Sequence, residues 1–395
     1  MVRLRRGSRT VRAAVTAIAT VAVATGSSPH GGGSGAGGGV GSRSTLQRDV
    51  DRVRDAGAIG VLAEVRDVDG RRVSARSGVA ELGTSRPIPT DAHVRIGSAT
   101  KAFVAVVVLQ LVGEGRLRLD DTVERWLPGV VAGNGNDGSR ITVRQLLQHT
   151  SGLPQVFDLP GGESAADFRR YRLDSHSPEY IVRLAMAHPP VAEPGTTWVY
   201  SNTNYVLAGM LVRAVTGKTW DHETMRRITV PLGLDDTMVP RENPLLPHPH
   251  SHTYRQFAPG EPWTDTTIVN MEDSGAEGSI VSTTRDLGEF LRALVTGGLL
   301  APAELAEMQR TVPVPEFAEF GMRYGLGLMW FDLGCGGGYW THWGDTLGAS
   351  TRGGITADGR RSVVVSVSGN GDHLGLPLER LALHPLVDNA LCRGR

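Results

Sequence analysis

Ser98 and Lys101 stand three positions apart. On any helix that contains both, a hydroxyl and an amine then lie on one face, with Cβ atoms about 5 to 6 Å apart. A serine hydroxyl becomes a nucleophile only when a neighbour takes its proton. A lysine among apolar residues such as Ala102 and Phe103 is pushed towards its neutral form and can do so, whereas arginine, ionised to above about pH 12, cannot. The distinction carries weight in this chain, because of its 41 basic residues only Lys101 and Lys218 are lysine. Tyr200 is a second group able to move protons if an ammonium lies beside it, and Asn202 can donate to a substrate carbonyl.

A third cluster is His342-Trp343-Gly344. A glycine on a strand lets a substrate backbone lie against the edge, and the amide of Asp345 is placed to be one of two oxyanion donors. The other is the amide of Ser98, since Gly97-Ser98 opens an apolar helix whose first N–H groups point at the reacting atom. The catalytic candidates are therefore Ser98, Lys101, Tyr200 and His342, with Asn202, Trp343, Gly344 and Asp345 as substrate-binding residues. Plainer roles are open to several of them: a core tyrosine, a helix-capping asparagine, a structural histidine.

The elements that must position these groups follow from periodicity. Thr45 to Ala56 reads as an amphipathic helix, and Val61 to Asp67 and Arg72 to Ser77 as a hairpin across Asp69-Gly70. Ala102 to Val112 contains Val106-Val107-Val108, yet its length and the glycines that end it favour a buried helix. A short helix follows Ile141 and stops at Gly152 and Pro154, and residues 178–187, 203–216 and 284–297 have helical spacing. Beyond Tyr324, strands are expected at Leu326 to Phe331, Tyr339 to His342, Ser350 to Ile355 and Ser362 to Ser368, before a last helix over 376–391. Strands at both ends around a helical middle, roughly 116–270, predict an α+β fold with both termini in one sheet.

Composition narrows the function classes. The chain has 395 residues, with 40% apolar, 21% charged and a formal net charge of zero. Five arginines (Arg3, Arg5, Arg6, Arg9, Arg12) and no acid lie in the first 24 residues, so the remainder holds 36 basic residues against 41 acidic ones. A mildly acidic body with no basic run has no electrostatic footprint for nucleic acid. The basic start, the apolar Ala13 to Ala24 and the small residues Ala22-Val23-Ala24 read as a signal peptide over 1–24 and a secreted protein, by the general or the twin-arginine route. The apolar stretch is too short for a stable membrane anchor. Residues 25–44 read as a disordered linker, nine of the sixteen from Gly26 to Gly41 being glycine, and 45–395 as the catalytic domain. With export, Cys335 and Cys392 are expected to pair, and no cysteine offers a lipid attachment behind the signal.

The order Ser98-Ala-Thr-Lys101, Gln148-His-Thr-Ser-Gly-Leu153, Tyr200-Ser-Asn202, His342-Trp-Gly344 resembles the penicillin-recognising serine hydrolases. It is most similar to the secreted D-alanyl-D-alanine carboxypeptidases, with class C β-lactamases and related esterases further away. The likeness runs from about residue 45 to the end and includes Tyr324-Gly-Leu-Gly-Leu and the placement of both cysteines. It implies an antiparallel sheet flanked by helices with an inserted helical subdomain, and an acyl-enzyme on Ser98. Lys101 and Tyr200 would shuttle protons, with no cofactor or metal, on a small peptide, amide, ester or β-lactam. Whether Lys101 or Tyr200 is the base, and what the oligomeric state is, stay open.

The third motif departs from the carboxypeptidase pattern His-Thr-Gly-Thr, since Trp343 and Asp345 replace its hydroxyls and Met329 stands where an arginine helps hold a terminal carboxylate. An acid repels a carboxylate and a thioether cannot replace a guanidinium. Three readings follow: a carboxypeptidase-like peptidase, a D-amino-acid amidase, esterase or β-lactamase, and a non-catalytic penicillin- or cell-wall-binding module. Arg352 is a candidate for the missing charge. Glu277 has two readings, a residue bordering the cleft or, more commonly for its type, an exposed loop acid, and His248, His250 and His252 read as loop histidines without metal geometry.

Overall fold

The computed structural model describes residues 38–155, 162–369 and 378–393. The expected signal peptide and residues 25–37 of the expected linker lie outside the described residues. The first helix, α1, spans Gly38–Asp55, so 38–44 are helical rather than linker. Its glycine-rich start has poor helix propensity, and its packing begins only at Leu46, followed by Val50 and Val53.

Strands β1 (Gly60–Arg66) and β2 (Arg72–Gly78) form the expected hairpin. Near the other end of the chain come β3 (Val312–Pro313), β4 (Arg323–Tyr324), β5 (Met329–Asp332), β6 (Gly338–Thr341), β7 (Gly344–Thr346), β8 (Ala349–Thr356) and β9 (Ser362–Ser368). All join one antiparallel sheet in the order β2-β1-β9-β8-β6-β5-β4-β3, with β7 pairing β8. The strand expected from Leu326 begins later, at Met329, because Gly327 at φ +72° closes a tight turn after β4.

Alternation divides the sheet's two faces. Val363, Val365 and Val367 of β9 pack with Leu46, Val50 and Val53 of α1 and with Leu386, Val387 and Leu391 of the C-terminal helix, His384–Cys392. Val364, pointing the other way, joins Phe290 and Leu291 of the helix Thr284–Val295 and the valines of α2 (Thr100–Gly113). α2 is buried along nearly its whole length, which explains why three consecutive valines are helical here: burial all round outweighs their strand preference. The middle of the chain is mainly helical, with two short ribbons at Ala132–Gly133 with Asn136–Asp137 and Tyr254–Arg255 with Thr264–Asp265. Cys335 and Cys392 are disulfide-bonded, tying the turn after β5 to the last helix. Their 57-residue separation corresponds to about 4 kcal/mol of stabilisation in the chain-entropy account. Among the described residues no helix is long and apolar enough to cross a membrane.

Candidate active site

Ser98 lies in a short 3₁₀ turn, Gly97–Ala99, that leads directly into α2. The turn exists because Gly97 adopts φ +52° and because strand β7 presses against it. A Cβ on Gly97 would lie 2.6 Å from the Asp345 carbonyl oxygen, and one on Gly344 would overlap the Ile96 carbonyl. Gly344 was expected to make room for substrate. Its missing side chain instead makes room for the Ser98 turn, and that contact sets the Asp345 backbone beside Gly97.

Lys101 is wholly buried. Its Nζ donates to Ser98 Oγ at 2.9 Å, to the Glu277 carbonyl at 2.7 Å and to the Glu277 carboxylate at 3.0 Å. The Tyr200 hydroxyl donates to Ser98 Oγ at 2.8 Å. The serine oxygen is thus held between the two proton-carrying groups the sequence singled out, with Lys101 Nζ 5.1 Å from the centre of the Tyr200 ring.

Burial acts on Lys101 to lower its pKa, but Tyr200 and Glu277 oppose it and the net direction is up. Burial raises Tyr200, only partly offset by Lys101, so its net direction is also up. Tyr200 is therefore a neutral phenol at rest, and the charge that keeps Lys101 an ammonium is the Glu277 carboxylate. This corrects two expectations. Burial does not strip the lysine of its charge, and Glu277 is no exposed loop acid: its side chain is 14% exposed and paired with Lys101. It sits on a one-turn helix, Gly275–Gly278, that runs beside α2. No spacing rule links positions 176 residues apart; the small residues around Glu277 were the one local sign of close packing.

The loop bearing Tyr200 rests on His149. The helix Val143–Gln148 is started by a Thr142/Gln145 capping box and stops at His149, which adopts φ +60°, ahead of the expected Gly152. The His149 ring lies 4.3 Å from the Tyr200 ring, and its Nδ1 accepts from the Ser201 amide at 3.3 Å and the Asn204 side-chain amide at 3.1 Å. The sequence pattern drew attention to this histidine without giving it a task; the task is to seat Tyr200. Asn202 begins the helix Thr203–Thr216, with its amide bonded to Gln155 and its Oδ1 buried without a partner among the described residues.

His342, named as a catalytic candidate with a structural histidine as the plainer reading, has both ring nitrogens engaged by the protein. Its Nδ1 faces the Trp343 carbonyl at 2.7 Å and its Nε2 the Tyr324 hydroxyl at 2.9 Å. A carbonyl only accepts, so Nδ1 carries the hydrogen and Tyr324 donates to Nε2. Burial and Lys101 push its pKa down to about 3, leaving a neutral ring with both nitrogens engaged. The geometry gives His342 the work of fixing the backbone at the start of β7.

Arg352 does not supply the missing cation. It donates to Glu379 at 2.6 Å and to Asp345 at 3.1 Å and lies over the Trp343 ring at 5.0 Å. Asp345 in turn is paired with this arginine. Trp343 stacks on Phe331 at 4.4 Å and forms one wall of a cleft of about 440 Å³ that opens onto Ser98 and Tyr200. Trp198, Phe317, Met322 and Met329 supply further apolar lining, and the exposed Glu316 stands at the rim. Of these, only Met329 figured in the sequence reading, since the others are gathered from loops by the fold. Among the described residues no group of three side chains could hold a metal ion.

Residues 43–384 match the family model described as Beta-lactamase. The chain belongs to that family. This Beta-lactamase-family protein is 37% identical to a D-stereospecific amidohydrolase from Streptomyces, with a TM-score of 0.80 over 89% of this chain and 99% of that one. It is 27% identical, at a TM-score of 0.77, to the D-amino acid amidase of Ochrobactrum anthropi over 89% and 97% of the two chains. Penicillin-binding protein 4 of Amycolatopsis lactamdurans shares 30% identity over 241 residues, 59% of this chain and 58% of that protein. The chain spans about half the length of the curated relatives it matches. The fold is the β-lactamase-like mixture of antiparallel sheet and helices that the motif order implied, and the chain belongs to the penicillin-recognising serine hydrolase family.

Proposed function

We propose that the protein hydrolyses amides or esters of D-amino acids through an acyl-enzyme on Ser98. The observation that carries this reading is Ser98 Oγ held at 2.9 Å from Lys101 Nζ and 2.8 Å from the Tyr200 hydroxyl, at the floor of an apolar cleft. The reactive form is the one in which the Lys101–Tyr200 pair has released one proton to solvent; Oγ then attacks the substrate carbonyl and its own proton fills that vacancy. The amides of Ser98 and Asp345 face the developing oxyanion, an arrangement worth about 10² to 10³ in rate per donor. The proton leaves with the amine or alcohol. Water then attacks the ester carbonyl, releasing the acid and restoring Ser98. Which member of the pair moves first is a property of the coupled pair rather than of one residue.

The leaving group separates this reading from the carboxypeptidase expectation. A terminal carboxylate wants a free guanidinium or ammonium. Arg352 is engaged by two acids, and among the described residues Glu316 and Asp345 are the charged residues that line the cleft. A neutral amide or ester suits this lining better than a free acid. The D-acyl preference rests on the two amidase-like neighbours in solved structures. Secretion is part of the proposal and is supported by the Cys335–Cys392 disulfide, a bond that persists outside the reducing cytoplasm.

The test compares D-phenylalanine amide, D-phenylalanine methyl ester, a D-Ala-D-Ala peptide and that peptide's C-terminal amide. Amide and ester turnover, with the free-acid peptide slower than its amide and all activity lost in Ser98→Ala, is expected. Faster cleavage of the free acid refutes the specificity. A lasting Ser98 adduct with no turnover of any substrate points to a binding module instead.

A further inference from the structure

A second cavity, of about 480 Å³, lies on the helical side of the molecule and does not include Ser98. One wall is a single face of the helix Thr203–Thr216: Val206, Gly209, Met210, Arg213 and Ala214 follow the i, i+3, i+4, i+7, i+8 pattern. Such a face normally packs against another helix. Here it meets Leu127 and Ile181 on one side and Trp220 on another, and leaves an apolar hollow between them. The floor is Gly275 and Ala276, at the foot of the one-turn helix whose next residue, Glu277, holds Lys101.

The charges around this hollow are unbalanced. Glu179, Asp221, Glu272 and Asp273 face one guanidinium, Arg213. Three of the acids have partners: Asp221 accepts from Arg241 at 2.8 Å, Asp273 lies 2.8 Å from His176 Nδ1, and Glu179 lies 4.0 Å from Arg213. The fourth, Glu272, is partly buried, and no side chain among the described residues donates to its carboxylate or pairs with it. Burial, then Asp221 and Glu242, raise its pKa; Arg241, which is bonded to Asp221, opposes them only in part, and the net direction is up.

We propose that this cavity binds a small organic ammonium ion with an aromatic or branched aliphatic group. The apolar part would lie against Leu127, Ile181, Val206 and Met210, and the ammonium would take the place at Glu272 that no protein cation fills. A hydrated metal ion gains nothing from apolar walls, and a neutral solute leaves the carboxylate unpaired. Trp220 adds an aromatic wall of the kind that favours organic cations.

The probe is 2-phenylethylammonium chloride, titrated calorimetrically into the full chain carrying Ser98→Ala, so that no step depends on catalysis. The neutral isostere 2-phenylethanol is the control. The Trp220 indole N–H resonance, assigned through Trp220→Phe, reports where the probe sits. One saturable site that moves the Trp220 signal is expected, with affinity about ten-fold lower for 2-phenylethanol and for the Glu272→Gln variant, the loss of one charge-assisted contact. Ala214→Phe, which fills the hollow from its rim, is expected to abolish binding, and it serves on its own if Glu272→Gln fails to fold. No saturable binding, binding that moves the Trp198 and Trp343 signals in place of Trp220, or affinity unchanged in both cavity variants overturns the proposal.

Discussion

Replacing Glu277 by glutamine tests the electrostatics of the nucleophile directly. The Glu277 carboxylate lies 3.0 Å from Lys101 Nζ, and at an effective dielectric constant near 20 a unit-charge pair at that distance is worth about 5.5 kcal/mol. The glutamate side chain is 14% exposed, so water reaches the pair and trims the figure, and the direction that follows for Lys101 is down. The sign does not depend on which group is the base. Glu277 raises Lys101 and also raises Tyr200, so removing its charge lowers both. The acid limb of kcat/KM, which reports the free enzyme, therefore moves to lower pH in Glu277→Gln. Initial rates on a D-phenylalanine anilide across about pH 5 to 10 measure it. The plateau falls only modestly, because the Glu277 main-chain carbonyl still accepts from Lys101 at 2.7 Å. Glu277→Asp, which keeps the charge, returns the limb towards its original position. A limb that stays put, or moves up, refutes the assignment of Glu277 as the acid that keeps Lys101 charged.

Two further predictions concern the framework. Gly344→Ala adds a Cβ that overlaps the Ile96 carbonyl and pushes β7 off the Ser98 turn, so kcat should fall about 10²- to 10³-fold, as for loss of one oxyanion donor, while circular dichroism stays unchanged; a wild-type rate contradicts the role given to this contact. His342 has a folded-state pKa near 3 against an unfolded value of 6.5, so below pH 6.5 the unfolded chain binds a proton the folded one refuses, and stability is lost as pH falls through that window. Each such histidine contributes a slope of up to about 1.4 kcal/mol per pH unit, and His149, also pushed well down by burial, adds a second. Urea unfolding between about pH 7 and 5 measures it, and a flat profile refutes the buried neutral state.

How much of this was legible beforehand depends on how far apart in sequence the partners lie. The Ser98–Lys101 relation is local, so helical periodicity alone placed both groups on one face. The α2 helix was legible because eleven residues, ten of them apolar, ended by Gly113 and Gly115 exceed a strand's usual length, even with three consecutive valines inside. The β1–β2 hairpin was legible from its Asp-Gly turn, and β9 to the residue from its alternation. What failed was non-local or backbone-driven. The strand at Leu326 began late because the Gly327 turn left no ladder for the first residues. Glu277 and His149 act through packing that no window of sequence contains, and the pairing of Arg352 with Glu379 joins residues 27 apart across the sheet's edge.

The same distance argument explains why the third motif misled in detail while pointing to the right place. His342, Trp343, Gly344 and Asp345 were read as four groups facing substrate. In the fold they do four different things: the histidine fixes a backbone, the tryptophan walls the cleft, the glycine admits the Ser98 turn, and the aspartate shares an arginine with Glu379. His342 and Trp343 link β6 to β7 outside the ladder, and His342, Trp343 and Asp345 all line the cleft, so their roles are separated by the partners each side chain has. The chemistry at this edge is then carried by the backbone. That is why the site tolerates Trp343 and Asp345 where relatives use hydroxyls, and why Gly344, the position with no side chain, is the one whose change should cost most.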